Sequence, residues 1–141
     1  QDYGYWYHNA CLYPDMASCF IMLDKATKEN GCLKVLKGSH KVGRIGHGTS
    51  DTPEQTADME RILELEKRHE CVYITANPGD ALFFHSNLLH SSDANKSKEF
   101  RRTLIACFNT KSNNPYKESG HASYTRLKIS PSNSIMEYKI D

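Results

Sequence analysis

Short apolar runs separated by sharp turn signals constrain this chain more than any other feature. Residues 16–24, 32–36, 71–75, 81–90 and 100–109 each read as a strand. Lys28-Glu29-Asn30-Gly31 and Asn77-Pro78-Gly79-Asp80 read as turns, because asparagine and glycine tolerate the positive φ that tight reversals need. Residues 91–98 form a further polar turn. Strands this short, at this spacing, predict an antiparallel sandwich or barrel. Tyr3 to Tyr7 is aromatic and reads as one more strand. The one clear helix opens at Thr52-Pro53-Glu54-Gln55, a capping box with proline at the first helical position, and runs to about His69. Met59, Ile62, Leu63 and Leu65 give it an apolar stripe suited to the outside of a sheet. Beyond Lys111 the chain turns polar, and Asn113-Asn114-Pro115 and Ser130-Pro131-Ser132 punctuate a tail with little regular structure.

At 141 residues the chain is one domain or a large part of one. Lys and Arg number 18 against 17 Asp and Glu, so there is no basic footprint for nucleic acid. No apolar run approaches the roughly 18 residues of a membrane span. The five cysteines are odd in number and contain no CxxC pair, which argues against a disulfide framework or zinc knuckle. Small buried cysteines in a reducing compartment are the expectation, so an intracellular, cytoplasmic location is favoured. Gly43, Gly46 and Gly48 lack the strand-to-helix setting of a phosphate-binding loop and read as a flexible loop. Oligomeric state is not legible.

Chemistry concentrates around His90 and Arg101. If the turn is centred between Asn95 and Lys96, these two residues oppose each other on paired strands, with Cβ atoms about 5 Å apart. Alternation then places Arg101, Thr103, Ile105, Cys107 and Asn109 on one face, and Arg102, Leu104, Ala106 and Phe108 on the other. An imidazole can ligate a metal that holds one end of a dicarboxylate, while a guanidinium clamps the far carboxylate with two parallel hydrogen bonds. Asp2 would add a hard anionic oxygen. In the strand reading Asp2, Gly4 and Trp6 share a face, with Gly4 leaving room and Trp6 walling a substrate pocket or simply packing the core. The spacing alone leaves open a non-enzymatic all-β domain whose histidine is a hydrogen-bonded core residue.

Gln1-Asp2-Tyr3, Glu29-Asn30-Gly31-Cys32-Leu33, Lys37-Gly38-Ser39-His40, Pro78-Gly79-Asp80, Phe84-His85, Leu89-His90-Ser91-Ser92 with Asn95, and Phe100-Arg101 occur in this order. As an ordered set they resemble the phytanoyl-CoA dioxygenase family of iron(II)- and 2-oxoglutarate-dependent oxygenases, through about Asn109. The resemblance implies a mainly β, double-stranded β-helix (jelly-roll, cupin-like) with at least one outer helix. It implies Fe(II) as cofactor, with 2-oxoglutarate and O2 as co-substrates. A small organic or lipid-like substrate would be hydroxylated with release of succinate and CO2. Residues 1–141 would be the C-terminal part of one such domain. Asp2 and His90 match two ligands of the His-x-Asp…His iron motif, and the first histidine would directly precede Gln1. Two imidazoles and a carboxylate on one face of iron leave three positions open. Arg101 matches the arginine that binds the co-substrate, and the resemblance adds Gln1 and Phe20 beside it, with Thr103 next to Arg101. A retained Asp2 favours hydroxylation over halogenation. The competing reading is a catalytically silent member that keeps the fold as a binding or regulatory module.

Overall fold

The computed structural model describes residues 1–46, 58–119 and 125–137. The elements are α1 (Asp2–His8), β1 (Met16–Met22), β2 (Leu33–Leu36), a 3-10 turn (Ser39–Lys41), α2 (Met59–Glu66), β3 (Cys71–Tyr73), β4 (Ala81–His85), β5 (His90–Ser92), β6 (Thr103–Asn109) and α3 (Ser134–Glu137). They build two three-stranded antiparallel sheets, ordered β4-β1-β6 and β3-β2-β5.

The central strand of each sheet aims its apolar residues at the other sheet. In β1, Phe20 lies opposite Leu82 and Ile105. In β2, Val35 lies opposite Val72 and His90. Leu33, Val35 and Phe84 are buried together, with Phe20, Leu82 and Leu88 packed against them, so one cluster joins both sheets. Each such side chain contributes about 1.5–3 kcal/mol by leaving water. A second cluster of Leu36, Ile45 and Leu89 receives Ile62 and Leu65 and so seats α2. Leu63 and Met59 remain exposed, so only half of the expected apolar stripe is used.

The turn chemistry works as the residues require. Gly31 has φ +77°, and a Cβ there would stand 2.5 Å from the Asp93 carbonyl oxygen. Gly31→Ala therefore meets both a left-handed backbone and a steric overlap with fixed main chain. It is expected to destabilise the protein by about 2–4 kcal/mol, read as a lower denaturant midpoint at unchanged m-value.

Four expectations need correction. Residues 2–8 are helical rather than extended. Aromatic residues favour strands only weakly, and here Tyr3 and Tyr7 stack edge-on at 5.9 Å, an i,i+4 contact that only a helix makes. Residues 81–90 are not one strand, because the chain turns at Ser86–Leu89 and crosses from one sheet to the other. That corner is fastened by Ser86, whose N–H donates to the Met16 carbonyl and whose hydroxyl donates to the Pro14 carbonyl. As a result β5 pairs with β2 and β6 pairs with β1, so His90 and Arg101 are not hairpin partners. Finally, α2 starts at Met59 and is capped by Asp58, whose carboxylate accepts from the Glu60 and Arg61 N–H groups. The Thr52–Gln55 capping box lies outside the described residues, as does Gly48 of the glycine-rich loop. Of the cysteines, Cys11, Cys19 and Cys32 are buried as expected, whereas Cys71 and Cys107 are exposed.

Candidate metal and co-substrate site

Asp2 opens α1 and His90 opens β5, 88 positions later, yet their side chains meet. Asp2 Oδ1 lies 3.3 Å from His90 Nε2, with both side chains mostly buried. His90 Nδ1 lies 2.9 Å from the Leu88 carbonyl oxygen, which can only accept, so Nδ1 carries the proton. Nε2 therefore turns a lone pair toward a carboxylate oxygen unless a second proton or a cation lies between them. Two donors about 2.1 Å from one cation stand about 3 Å apart when they meet at a right angle, so the pair fits a shared metal ion. Among the described residues no third His, Cys, Asp or Glu completes a metal-binding group with them.

The other carboxylate oxygen is held separately. Ser18, buried on the inner face of β1, donates its hydroxyl to Asp2 Oδ2 at 2.8 Å. This leaves Oδ1 as the oxygen that faces His90. Such supporting hydrogen bonds orient a ligand and typically contribute 10–100-fold to metal affinity. Ser18→Ala is expected to weaken metal binding by about that factor without unfolding the protein, measured by competitive titration against a chelator.

Beside the pair lies a cleft of about 380 Å³ lined by Phe20, Leu33, His90, Ser91, Ser92, Arg101, Thr103 and Ile105. Its size is in the range of small-molecule sites. His90 comes from one sheet; Phe20, Thr103 and Ile105 come from the other. Arg101 precedes β6, is half-buried, and has no hydrogen-bond or ion-pair partner among the described residues. A guanidinium with five donors left open in a cleft is matched to a carboxylate or phosphate that arrives from outside. Phe84 links the two halves, with its ring 5.1 Å from Phe20 and 5.0 Å from His90.

The remaining sequence candidates fall elsewhere. Gln1 does not line the cleft. Its amide donates to the Gly43 and Asn87 carbonyls and accepts from the Ile45 N–H, which ties the chain start to the 42–46 loop. Gly4 is buried within α1 and Trp6 is half-buried on it; neither lines the cleft. Their predicted common face does not exist, because on a helix residues two apart point about 200° apart. Arg102 points outward, as alternation requires when Arg101 points in, and pairs with Asp24. His40 and His85 stand with rings 6.0 Å apart and form no metal-binding group with the Asp2–His90 pair, and His85 Nδ1 accepts from the Asn87 N–H. A larger hollow of about 580 Å³ between the 42–45 loop and α2 sets Arg44, Arg61 and Arg68 against Asp58, Glu60 and Glu64. Among the described residues it holds no group of three His, Cys, Asp or Glu side chains placed to bind a metal.

Sequence reasoning missed Ser18, Leu33, Ser91, Ser92 and Ile105 as site residues. Ser92 was within reach, since residues two apart on a strand share a face and His90 marks which one. Ser18 carries no local signal, because its role exists only once α1 lies over β1.

Comparisons with known proteins bear on the family and the fold. The family model for phytanoyl-CoA dioxygenase (PhyH) matches residues 1–103. L-proline trans-4-hydroxylase of Streptomyces griseoviridis is 29% identical over 130 residues, covering 82% of this chain and 48% of that protein. Ectoine dioxygenase of Sphingopyxis alaskensis is 33% identical over 113 residues, covering 73% of this chain and 37% of that protein. Among solved structures, EctD from S. alaskensis with 2-oxoglutarate and 5-hydroxyectoine superposes with a TM-score of 0.71 at 28% identity, over 83% of this chain and 39% of that one. The chain thus spans less than half the length of these relatives. The shared architecture is the double-stranded β-helix.

Proposed function

Because the chain belongs to the phytanoyl-CoA dioxygenase family, we propose that it is the C-terminal part of an Fe(II)- and 2-oxoglutarate-dependent dioxygenase. The substrate is a small organic or lipid-like molecule, hydroxylated as 2-oxoglutarate is converted to succinate and CO2. The observation that carries this reading is that His90, which meets Asp2 at 3.3 Å, lines one cleft with Arg101, whose guanidinium has no hydrogen-bond or ion-pair partner among the described residues. A non-enzymatic domain with a core histidine would set His90 among apolar groups and far from Asp2, whereas the two side chains lie 3.3 Å apart.

In this reading Asp2 and His90 hold the iron, and a histidine directly upstream of Gln1 supplies the third protein ligand. Iron with O2 and 2-oxoglutarate supplies oxidising power that no side chain has. The protein's residues bind and orient. Ser18 holds Asp2 in one rotamer, and the Leu88 carbonyl holds the His90 tautomer. Arg101 takes the carboxylate of 2-oxoglutarate remote from the metal, with the Thr103 hydroxyl on the same wall. Phe20 from the sheet of Thr103 and Leu33 from the other line the cleft with apolar surface, which strengthens the charged contact by excluding water.

The test is an anaerobic titration with Fe(II) and 2-oxoglutarate, following their visible charge-transfer band. It is run on the chain and on a version extended upstream through its native residues. A band in the extended protein supports the oxygenase site. A folded extended protein without a band overturns the reading and leaves a silent binding module of the same fold.

A further inference from the structure

We propose that Asp24 and Asn30, both in the connection between β1 and β2, are positioning residues that aim Arg101 into the cleft; this rests on the co-substrate role given to Arg101 above. Arg101 lies just outside the ladder of β1 and β6, whose last pair is Met22 with Thr103. The sheet therefore does not hold its main chain. Side chains hold both flanks, joined on the C-terminal side by the main-chain N–H groups of Leu23 and Asp24.

On the C-terminal flank, Asp24 takes three hydrogen bonds from Arg102. The Arg102 N–H donates to Asp24 Oδ2 at 2.8 Å, Nε donates to the same oxygen at 2.9 Å, and Nη2 donates to Oδ1 at 2.9 Å. The Leu23 N–H also donates to the Arg102 carbonyl at 3.0 Å. On the N-terminal flank, the amide of Asn30 donates to the Phe100 carbonyl at 3.4 Å and to the Lys25 carbonyl at 2.7 Å. Its oxygen accepts from the Thr27 N–H at 2.8 Å, and the residue is buried. Asn30 is thus locked to its own loop and reaches across to the residue before Arg101.

The consequence is directional. Consecutive residues in extended chain point to opposite sides. Two arginines stand side by side, and a fork-to-fork ion pair fixes the second one outward. The first is then left facing the cleft. Asp24 and Arg102 touch neither the metal pair nor the cleft lining, so their effect on the co-substrate passes through Arg101.

The beside-lying arginine holds the Asp24 carboxyl at about 2, below its ordinary value of 3.8. A depressed carboxyl pKa means the clamp is complete above about pH 4 and fails only as pH falls toward 2. No step in co-substrate affinity from this pair is expected between pH 6 and 9.

The experiment uses the full-length protein under anaerobic Fe(II), with 2-oxoglutarate affinity read from the charge-transfer band and kcat and KM read from succinate release. Asp24→Asn and Asn30→Asp are each expected to raise the Kd and KM for 2-oxoglutarate about tenfold, with Fe(II) affinity and saturated kcat within about twofold of the parent. Arg102→Ala, which leaves the Asp24 bond to the main-chain N–H, is expected to have a smaller effect. Unchanged 2-oxoglutarate affinity in Asp24→Asn and Arg102→Ala, alongside its loss in Arg101→Ala, overturns the positioning role alone. Unchanged affinity in Arg101→Ala overturns both this role and the reading beneath it. An equal fall in Fe(II) affinity, kcat and melting temperature would mark Asp24 as a general stabilising residue and also overturns the proposal.

Discussion

Arg101→Ala is expected to lower 2-oxoglutarate affinity by about 10²-fold and to leave the fold unchanged. The size follows from the chemistry of the contact. Truncating one partner of a desolvated, hydrogen-bonded charge pair costs roughly 2–5 kcal/mol. Arg101 is half-buried in an open cleft, where Ile105 is 54% exposed, so the lower part of that range applies. Stability should hold or rise slightly, because Arg101 has no acidic partner among the described residues to be orphaned by its removal. Arg101→Lys should recover only part of the loss, since an ammonium is a point charge without the planar fork. Calorimetry on the Fe(II)-loaded protein, with a thermal melt of each variant, separates the two effects. A large loss of melting temperature in Arg101→Ala would contradict the free guanidinium that the cleft displays.

Asp2→Asn is expected to reduce Fe(II) affinity by about 10²–10³-fold and to abolish turnover. The substitution keeps the shape and an amide oxygen for the Ser18 hydroxyl, so no buried donor is stranded. What it removes is the negative charge facing His90 Nε2, and losing one member of a close charged set costs about 3–5 kcal/mol. His90→Ala should do the same from the other side. The double variant should lose little more than either single one, because both act on one bound ion. Equilibrium dialysis with Fe(II) or Co(II) measures this without relying on activity. Independent, additive losses would show that the two side chains do not share a metal.

Much of the architecture was legible locally. Asn30-Gly31 and Pro78-Gly79 are turns because few other residues accept their φ values of +77° at Gly31 and +90° at Gly79. The runs at 16–24, 32–36 and 71–75 contain the strands Met16–Met22, Leu33–Leu36 and Cys71–Tyr73, because burying them in any compact arrangement needs no more than their own pattern. The outward Arg102 was legible from alternation, although the structure adds the Asp24 clamp that holds it there. The likeness of the ordered motifs to an oxygenase family pointed to Asp2, His90 and Arg101 together, although neither spacing nor charge could bring Asp2 to His90.

Other features exist only in the assembled molecule. Tyr3 to Tyr7 has no local reason to prefer helix over strand; the Tyr3 main-chain bond to Ser86 and the Tyr3–Tyr7 contact select the helix. Residues 81–90 look like one strand until Ser86 and Asn87 are buried at the corner between two sheets. His90 and Arg101 seemed partners in a hairpin, yet they reach one cleft separately, His90 from β5 of one sheet and Arg101 from the segment that leads into β6 of the other. The physical difference is range. Turn chemistry and alternation act over a few bonds and are written in neighbouring residues, whereas strand pairing is chosen by burial and loop closure summed over the whole chain. An edge such as β5 has equal local merit beside β2 or β6, and only the packing of both sheets around Phe20, Phe84 and Leu33 decides between them.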